Sequence, residues 1–253
     1  MSKEKLNKKL EILFKNLKIK KGDKIVIHSN IGGILQYYNK DKISISKAFF
    51  SFLKKYIGKK GTIIIPAYSY KFTKNKKFNV KNSPSEIGFF SNFLLEKNWT
   101  KRTLDPVFSH LIFGKTKNYN LEYINKDAFG INSIFYYLLK NNYKIICFCC
   151  SSDRITFIHF IESIFKVSYR FVKNFKGILE YKNIKQKILY KYNVGKKKYD
   201  YTLKEEKINK LLEKKNFIKN NFGKFECYSV SCKFLYSNLF KKMKKNEKYL
   251  IKK

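Results

Sequence analysis

Arginine, alanine, proline and histidine are all scarce in this 253-residue chain, each present only three times. Three prolines and 11 glycines exclude a collagen-like or linker-rich chain. The longest apolar runs, Ile63–Ile65 and Ile145–Cys150, fall far short of the ~18 residues a membrane span needs. The start, Met1-Ser2-Lys3-Glu4-Lys5, has no apolar stretch of signal-peptide type, so a cytoplasmic protein is expected. Five cysteines (Cys147, Cys149, Cys150, Cys227, Cys232), an odd number, argue against a disulfide framework. No pair of them stands at zinc spacing to a second Cys or His pair. Buried thiols are expected, and no metal.

Acids are scarce too: 18 Asp and Glu oppose 56 Lys and Arg, a net charge of +38. Such a charge invites a nucleic-acid reading. However, 53 of the 56 basic residues are lysine, spread from Lys3 to Lys253, and Ile, Asn, Phe and Tyr are abundant beside them. AT-rich codons supply that residue set. Nucleic-acid surfaces favour the bidentate fork of arginine, which this chain nearly lacks. No specific nucleic-acid partner is expected.

What is present is 44% hydrophobic residues, enough for a real core. Leu6, Leu10, Leu13, Phe14 and Leu17 share one helical face, and Ile45, Ala48, Phe49, Phe52, Leu53 and Tyr56 share another within Ile43–Ile57. Lys24–His28, Gly61–Pro66 and Ile145–Cys150 read as buried strands, with Leu111–Phe113 a brief one. Gly88–Glu96, Ser133–Lys140 and Thr156–Phe165 read as helices. Ser29–Gly33 reads as a flexible loop, Tyr68–Ser85 as a loop-like insertion and Lys101–Ser109 as extended. Beyond Arg170 the pattern gives strand-like alternation over Gly177–Leu189, a charged helix over Leu203–Lys219 and a last helix from about Ser231. Strands alternating with helices argue for an α/β fold. No linker or repeat divides the chain, so one domain spanning 1–253 is expected.

The few histidines can be weighed one by one. His159 and Glu162 lie three apart on a helix, so the carboxylate can reach the imidazole, fix its tautomer and leave the other nitrogen as a base. A helix-start histidine beside a surface glutamate would show the same spacing. Asp153, in the preceding turn, could add a polar contact. His28-Ser29 ends the first strand, where α/β folds bind ligands, although a capping turn looks the same in sequence. Arg102-Thr103-Leu104-Asp105-Pro106 and Ser109-His110 form a further polar cluster. An arginine in so lysine-rich a chain favours a specific role.

The order of the blocks says more than any one of them. Gly22–Ser29, Gly61–Ser69, Ser83–Gly88, Arg102–Ser109, Phe129–Ser133 and Thr156–Glu162 form a series that resembles the aminoglycoside 3-N-acetyltransferase family, from about Leu6 to Arg170. The resemblance implies a three-layer α/β/α sandwich, its central sheet flanked by helices, and an acetyl-CoA-dependent N-acetyltransferase. It implies catalytic roles for His159, Glu162 and Asp153, the last matching the family's turn aspartate. It places His28 and Ser29 near the pantetheine and thioester. Arg102-Thr103 stands where the family has arginine-serine, and Arg102, Thr103 and Ser109 are expected on the cofactor side. One departure concerns the acceptor amine. The segment Tyr70–Ser85 is short and lysine-rich where the aminoglycoside enzymes carry a longer, acid-containing insertion. With so few acids in the chain, a nucleotide-linked amino sugar is expected over a polycationic antibiotic. The short-loop form resembles the family's paralogues of surface-polysaccharide synthesis, which implies an acceptor of that pathway. A true antibiotic-acetylating enzyme is the alternative, and a basic nucleic-acid-binding protein the remoter one. Oligomeric state, homodimer included, stays open.

Overall fold

The computed structural model describes residues 2–212 and 217–251. In chain order the elements are α1 (Lys3–Asn16), β1 (Lys24–Ser29), a 3-10 helix (Ile31–Gln36), α2 (Lys42–Ile57), β2 (Thr62–Pro66), α3 (Phe72–Asn75) and β3 (Lys77–Asn79). Then come α4 (Phe89–Lys97), β4 (Lys101–Arg102), β5 (His110–Gly114), α5 (Ile134–Lys140), β6 (Lys144–Phe148), a 3-10 turn (Ser152–Arg154) and α6 (Phe157–Phe165). The chain ends with β7 (Arg170–Tyr181), β8 (Ile184–Gly195), α7 (Glu205–Leu212), β9 (Phe217–Phe222), β10 (Phe225–Ser231) and α8 (Cys232–Lys245).

Seven strands form the central sheet in the order β4-β5-β2-β1-β6-β10-β9. β1 runs parallel to β2 and β6, and the outer strands pair antiparallel. Period-two alternation sorts the core into two layers. Ile25, Ile27, Ile63 and Ile65 face a cluster with Leu6, Leu10 and Phe14 of α1, Phe49 and Leu53 of α2, and Phe90 of α4. Val26, Ile64, Ile145 and Tyr228 face the other, with Leu138 of α5, Phe160 and Ile161 of α6, and Leu235 and Leu239 of α8. This is the expected central sheet flanked by helices. Each fully buried Leu, Ile or Phe contributes about 1.5–3 kcal/mol over its exposed state.

Local chemistry sets the helix ends. Asp41 Oδ1 accepts from the Ile43 and Ser44 amides, and α2 stops at Gly58 with φ +73°. Ser133 and Ser231 cap α5 and α8 in the same way.

Several expectations are corrected. A 3-10 helix occupies much of the predicted flexible loop after Ser29, its first turn capped by Asn30 Oδ1 on the Gly32 amide. The predicted insertion carries α3 and β3, and β3 pairs with β7. The single alternation over Gly177–Leu189 is part of a 12-pair antiparallel hairpin, turning at Lys182 and Asn183, both at positive φ. With β3 it makes a second, three-stranded sheet. The predicted helix Leu203–Lys219 is helical only over α7; of its remainder, 213–216 lie outside the described residues and 217–219 belong to β9. β9 and β10 extend the main sheet, where pairing along their whole length outweighs the weak local pattern.

Candidate active site

The parallel strands β1, β2 and β6 end on the same side of the sheet, and the chain leaves β6 through the 3-10 turn into α6. This is where an α/β sheet opens a crevice. A cleft of about 300 Å³ lies here, walled by Tyr70, Phe108, Phe129, Tyr192 and Tyr201, with Thr156, His159, Arg170 and Asn193 as its polar lining.

His159 and Glu162 meet as their spacing requires: Nδ1 lies 2.7 Å from Oε2. Glu162 is wholly buried on the inner face of α6, whereas the imidazole reaches the cleft. Tyr169 donates its hydroxyl to the other oxygen, Oε1, at 2.8 Å. Arg170 brings Nε to 2.7 Å from Oε2, a close charge contact without the alignment of a hydrogen bond. Burial alone would raise the Glu162 carboxyl, but His159, Arg170 and Tyr169 together outweigh it and hold the group below the usual range. Glu162 is therefore an acceptor-only carboxylate, and the Nδ1–H of His159 donates to it. The Arg170 Nη2–Nδ1 approach of 3.1 Å then brings two donors together and is not a hydrogen bond. Whenever the ring is neutral, this tautomer leaves the lone pair on Nε2. The arrangement is an imidazole held by an ionised, fully desolvated carboxylate.

The other predicted residues fall into three places. Asp153, partly exposed, accepts from Ser151 Oγ and lies 3.6 Å from Arg154 Nε, so its recorded partners are its own neighbours and not His159. His28 pairs in register with Cys147 near the end of β1, and Ser29 follows it. The protein surrounds most of the His28 ring although part of its surface reaches solvent, and this desolvation lowers it to about 4. It is a neutral imidazole near pH 7.

Arg102 ends β4, Thr103 follows it and Ser109 precedes β5, and all three are buried. The Arg102 guanidinium donates from Nε to Ser109 Oγ (3.0 Å), from Nη1 to the carbonyls of Val80 (3.1 Å) and Ser83 (2.5 Å), and from Nη2 to Ala67 O and Ser69 Oγ (both 3.0 Å). All five N–H groups are used. Burial pushes this arginine down to about 10. Thr103 Oγ1 accepts from the His110 amide, and Ser109 Oγ donates to Ala67 O. Buried His110 is lowered to about 3 by desolvation and, secondarily, by His28.

Sequence reasoning missed Arg170 and Tyr169. The rarity of arginine was a usable signal, since two of the three arginines are buried in polar networks. The sequence places Cys147, Cys149 and Cys150 together in the buried strand Ile145–Cys150. Instead β6 stops at Phe148, and Cys149 turns at φ +52° with its Sγ 3.9 Å from Cys227 Sγ. Among the described residues no group of three His, Cys, Asp or Glu could hold a metal ion, and no helix is long and apolar enough to cross a membrane.

Comparison with known proteins places this geometry. Aminoglycoside acetyltransferase AAC(3)-IIb superposes with a TM-score of 0.78 at 15% identity, over 95% of this chain and 97% of that one. YokD from Bacillus subtilis gives 0.75 at 18% identity, over 97% and 94%. AAC-IIIb, solved in a binary complex with CoASH, gives 0.75 at 14%, over 97% of each chain. At these identities the superpositions establish the fold. No curated relative matches the sequence. The profile of the aminoglycoside 3-N-acetyltransferase family, however, matches residues 26–244, which take in both sheets and every residue of the cleft. The chain belongs to the aminoglycoside 3-N-acetyltransferase family and is an acetyl-CoA-dependent N-acetyltransferase.

Proposed function

We propose that the whole chain is one catalytic domain that moves the acetyl group of acetyl-CoA directly onto the amine of an amino sugar, with His159 as general base. The observation that carries this reading is the His159–Glu162 contact at 2.7 Å, with the carboxylate buried and the imidazole lining the cleft. The attacking nitrogen forms a bond to the thioester carbon while Nε2 of His159 takes its proton. Glu162 stabilises the imidazolium through Nδ1–H. The C–S bond then breaks, and the proton passes from His159 to the departing sulfur. Amine and thioester become amide and thiol, with one proton carried from nitrogen to sulfur. Buried Cys147 is pushed up, first by its hydrogen bond with Cys150 and then by burial, which argues against a thiolate relay through this cysteine. His28 and Ser29 are assigned to the thioester side and the lysine-rich surface to the phosphates of coenzyme A.

The acceptor follows from the cleft lining. Polycationic aminoglycosides call for carboxylates, yet among the described residues no Asp or Glu lines the cleft. Asp105 is buried and accepts from Tyr190, Asn125 and the amides of Val107 and Phe108; Asp127 lies 3.3 Å from Lys191 Nζ. Five aromatic rings suit the apolar faces of a sugar, and a +38 chain attracts a nucleotide's phosphates. A nucleotide-linked amino sugar fits both. Neighbouring folds have been solved with a gentamicin or with sisomicin, so the antibiotic reading is the one to test against. Thiol release from acetyl-CoA, measured with both acceptor classes, decides. We expect kcat/KM to be higher for a nucleotide amino sugar, and a higher value for any aminoglycoside overturns the choice.

A further inference from the structure

Arg170 sits at the first residue of β7, opposite Gly195 at the last residue of β8. Cross-strand partners project their side chains from the same face of a sheet. Gly195 has no side chain to place beside the guanidinium, and the Tyr201 ring fills that space: a Cβ built on Gly195 would overlap the ring at Cδ1, Cε1 and Cζ. The guanidinium carbon of Arg170 lies 5.5 Å from the centroid of the same ring, within cation–π range. Tyr201 arrives on the segment after β8, where the Lys196 amide donates to Tyr169 O at 2.9 Å, next to the residue that binds Glu162. All three residues, Arg170, Gly195 and Tyr201, line the cleft.

Arg170 needs such a holder. Its Nε is 2.7 Å from the Glu162 carboxylate without hydrogen-bond alignment, and its Nη2 faces a ring nitrogen that is itself a donor. Charge draws the guanidinium to this corner but does not fix its plane. A flat aromatic surface does.

We propose that Tyr201 is a positioning residue that acts through Arg170: seated on the bare backbone of Gly195, it holds the guanidinium against Glu162 and so keeps the His159–Glu162 pair in its working arrangement. The proposal rests on the His159 base reading given above. Tyr201 is 42% exposed, so its truncation leaves the core intact.

The test uses the full chain, acetyl-CoA and the best amine found in the acceptor screen. Tyr201→Ala is expected to lower kcat about tenfold with the KM for acetyl-CoA unchanged, and Tyr201→Phe to recover most of the rate because the ring face is kept. Gly195→Ala, which displaces the ring without removing it, is expected to follow Tyr201→Ala. The decisive arm is the Glu162→Gln background. There Arg170 has no charge to hold, so adding Tyr201→Ala should lower kcat no further. Losses that multiply in the double variant, or a change confined to the acceptor KM, would overturn the proposal. Failure of the base reading shows separately, as a His159→Ala variant that keeps its turnover.

Discussion

Among the described residues two carboxylates, Glu162 and Asp105, and two arginine side chains, Arg102 and Arg170, are buried, and each type occurs once with an opposite charge and once without. Glu162 and Asp105 are almost equally inaccessible, at 0% and 2% exposed. Glu162 faces His159 and Arg170 and is held low; Asp105 faces a phenol, an amide side chain and two backbone N–H groups, and burial raises it despite those bonds. Neutral donors organise a buried charge, but only a cation reverses the cost of desolvating it. The arginines mirror this. Arg170 lies against a carboxylate at the cleft, whereas Arg102 spends every donor on carbonyls and hydroxyls of three segments. The charge-paired corner can change its protonation during a reaction. The neutral-partnered one joins β2, β4, β5 and the turn at 80–83.

The sharpest way to break that division is to remove the base. His159→Ala should lower acetyl transfer by at least about 10²-fold, the usual contribution of a general base, while coenzyme A binding measured by calorimetry persists. A variant that keeps near wild-type turnover would return His159 to the surface-pair reading.

The two arginines should fail in opposite ways. Arg102→Met leaves the Val80 and Ser83 carbonyls unpaired and is expected to cost about 3 kcal/mol or more in urea unfolding. Arg170→Met should cost less stability and more activity. If Arg102→Met unfolds at the wild-type midpoint and instead raises only the KM for acetyl-CoA, Arg102 is a cofactor contact as its sequence position suggested.

A smaller effect is expected for Glu162→Gln, about tenfold in kcat, because it removes the charge that stabilises the imidazolium and leaves the base in place. An unchanged rate and pH profile would separate Glu162 from catalysis.

How much of this could be read from the chain follows from the range of each interaction. The apolar faces of α1 and α2, the buried runs of β1, β2 and β6, and the three-residue spacing of His159 and Glu162 are local, and all appear where the sequence places them, except that β6 ends two residues early at Phe148. Arg170 reaches Glu162 from the next strand, and Tyr201 reaches Arg170 across a hairpin whose register no short window contains. The hairpin was hidden because its turn residues are Lys182 and Asn183, both at positive φ, without the glycine that marks such turns. β9 and β10 were hidden among the lysines and aromatics of the region after α7. Arg102 was singled out for its rarity, but rarity does not distinguish a ligand contact from a structural hub. Only its five acceptors do.

The finest test of the comparison is acid stability, because the two carboxylates should contribute with opposite sign. Glu162 is lowered from 4.5 in the folded chain, so it releases its proton more readily when folded. Its contribution is fully present above about pH 4.5 and is lost as pH falls through the lowered value. Asp105 is raised from 3.8, so its contribution is fully present below that pH and is lost as pH rises through the raised value. Urea unfolding from pH 3 to pH 7 should therefore show Glu162→Gln losing stability relative to wild type at the neutral end, with the two converging in acid. Asp105→Asn should keep the Glu162-dependent fall in acid while losing the opposing slope that Asp105 supplies. Parallel curves for wild type and Glu162→Gln would mean that Arg170 and His159 do not hold that carboxylate charged, and the contrast with Asp105 would collapse to one of geometry alone.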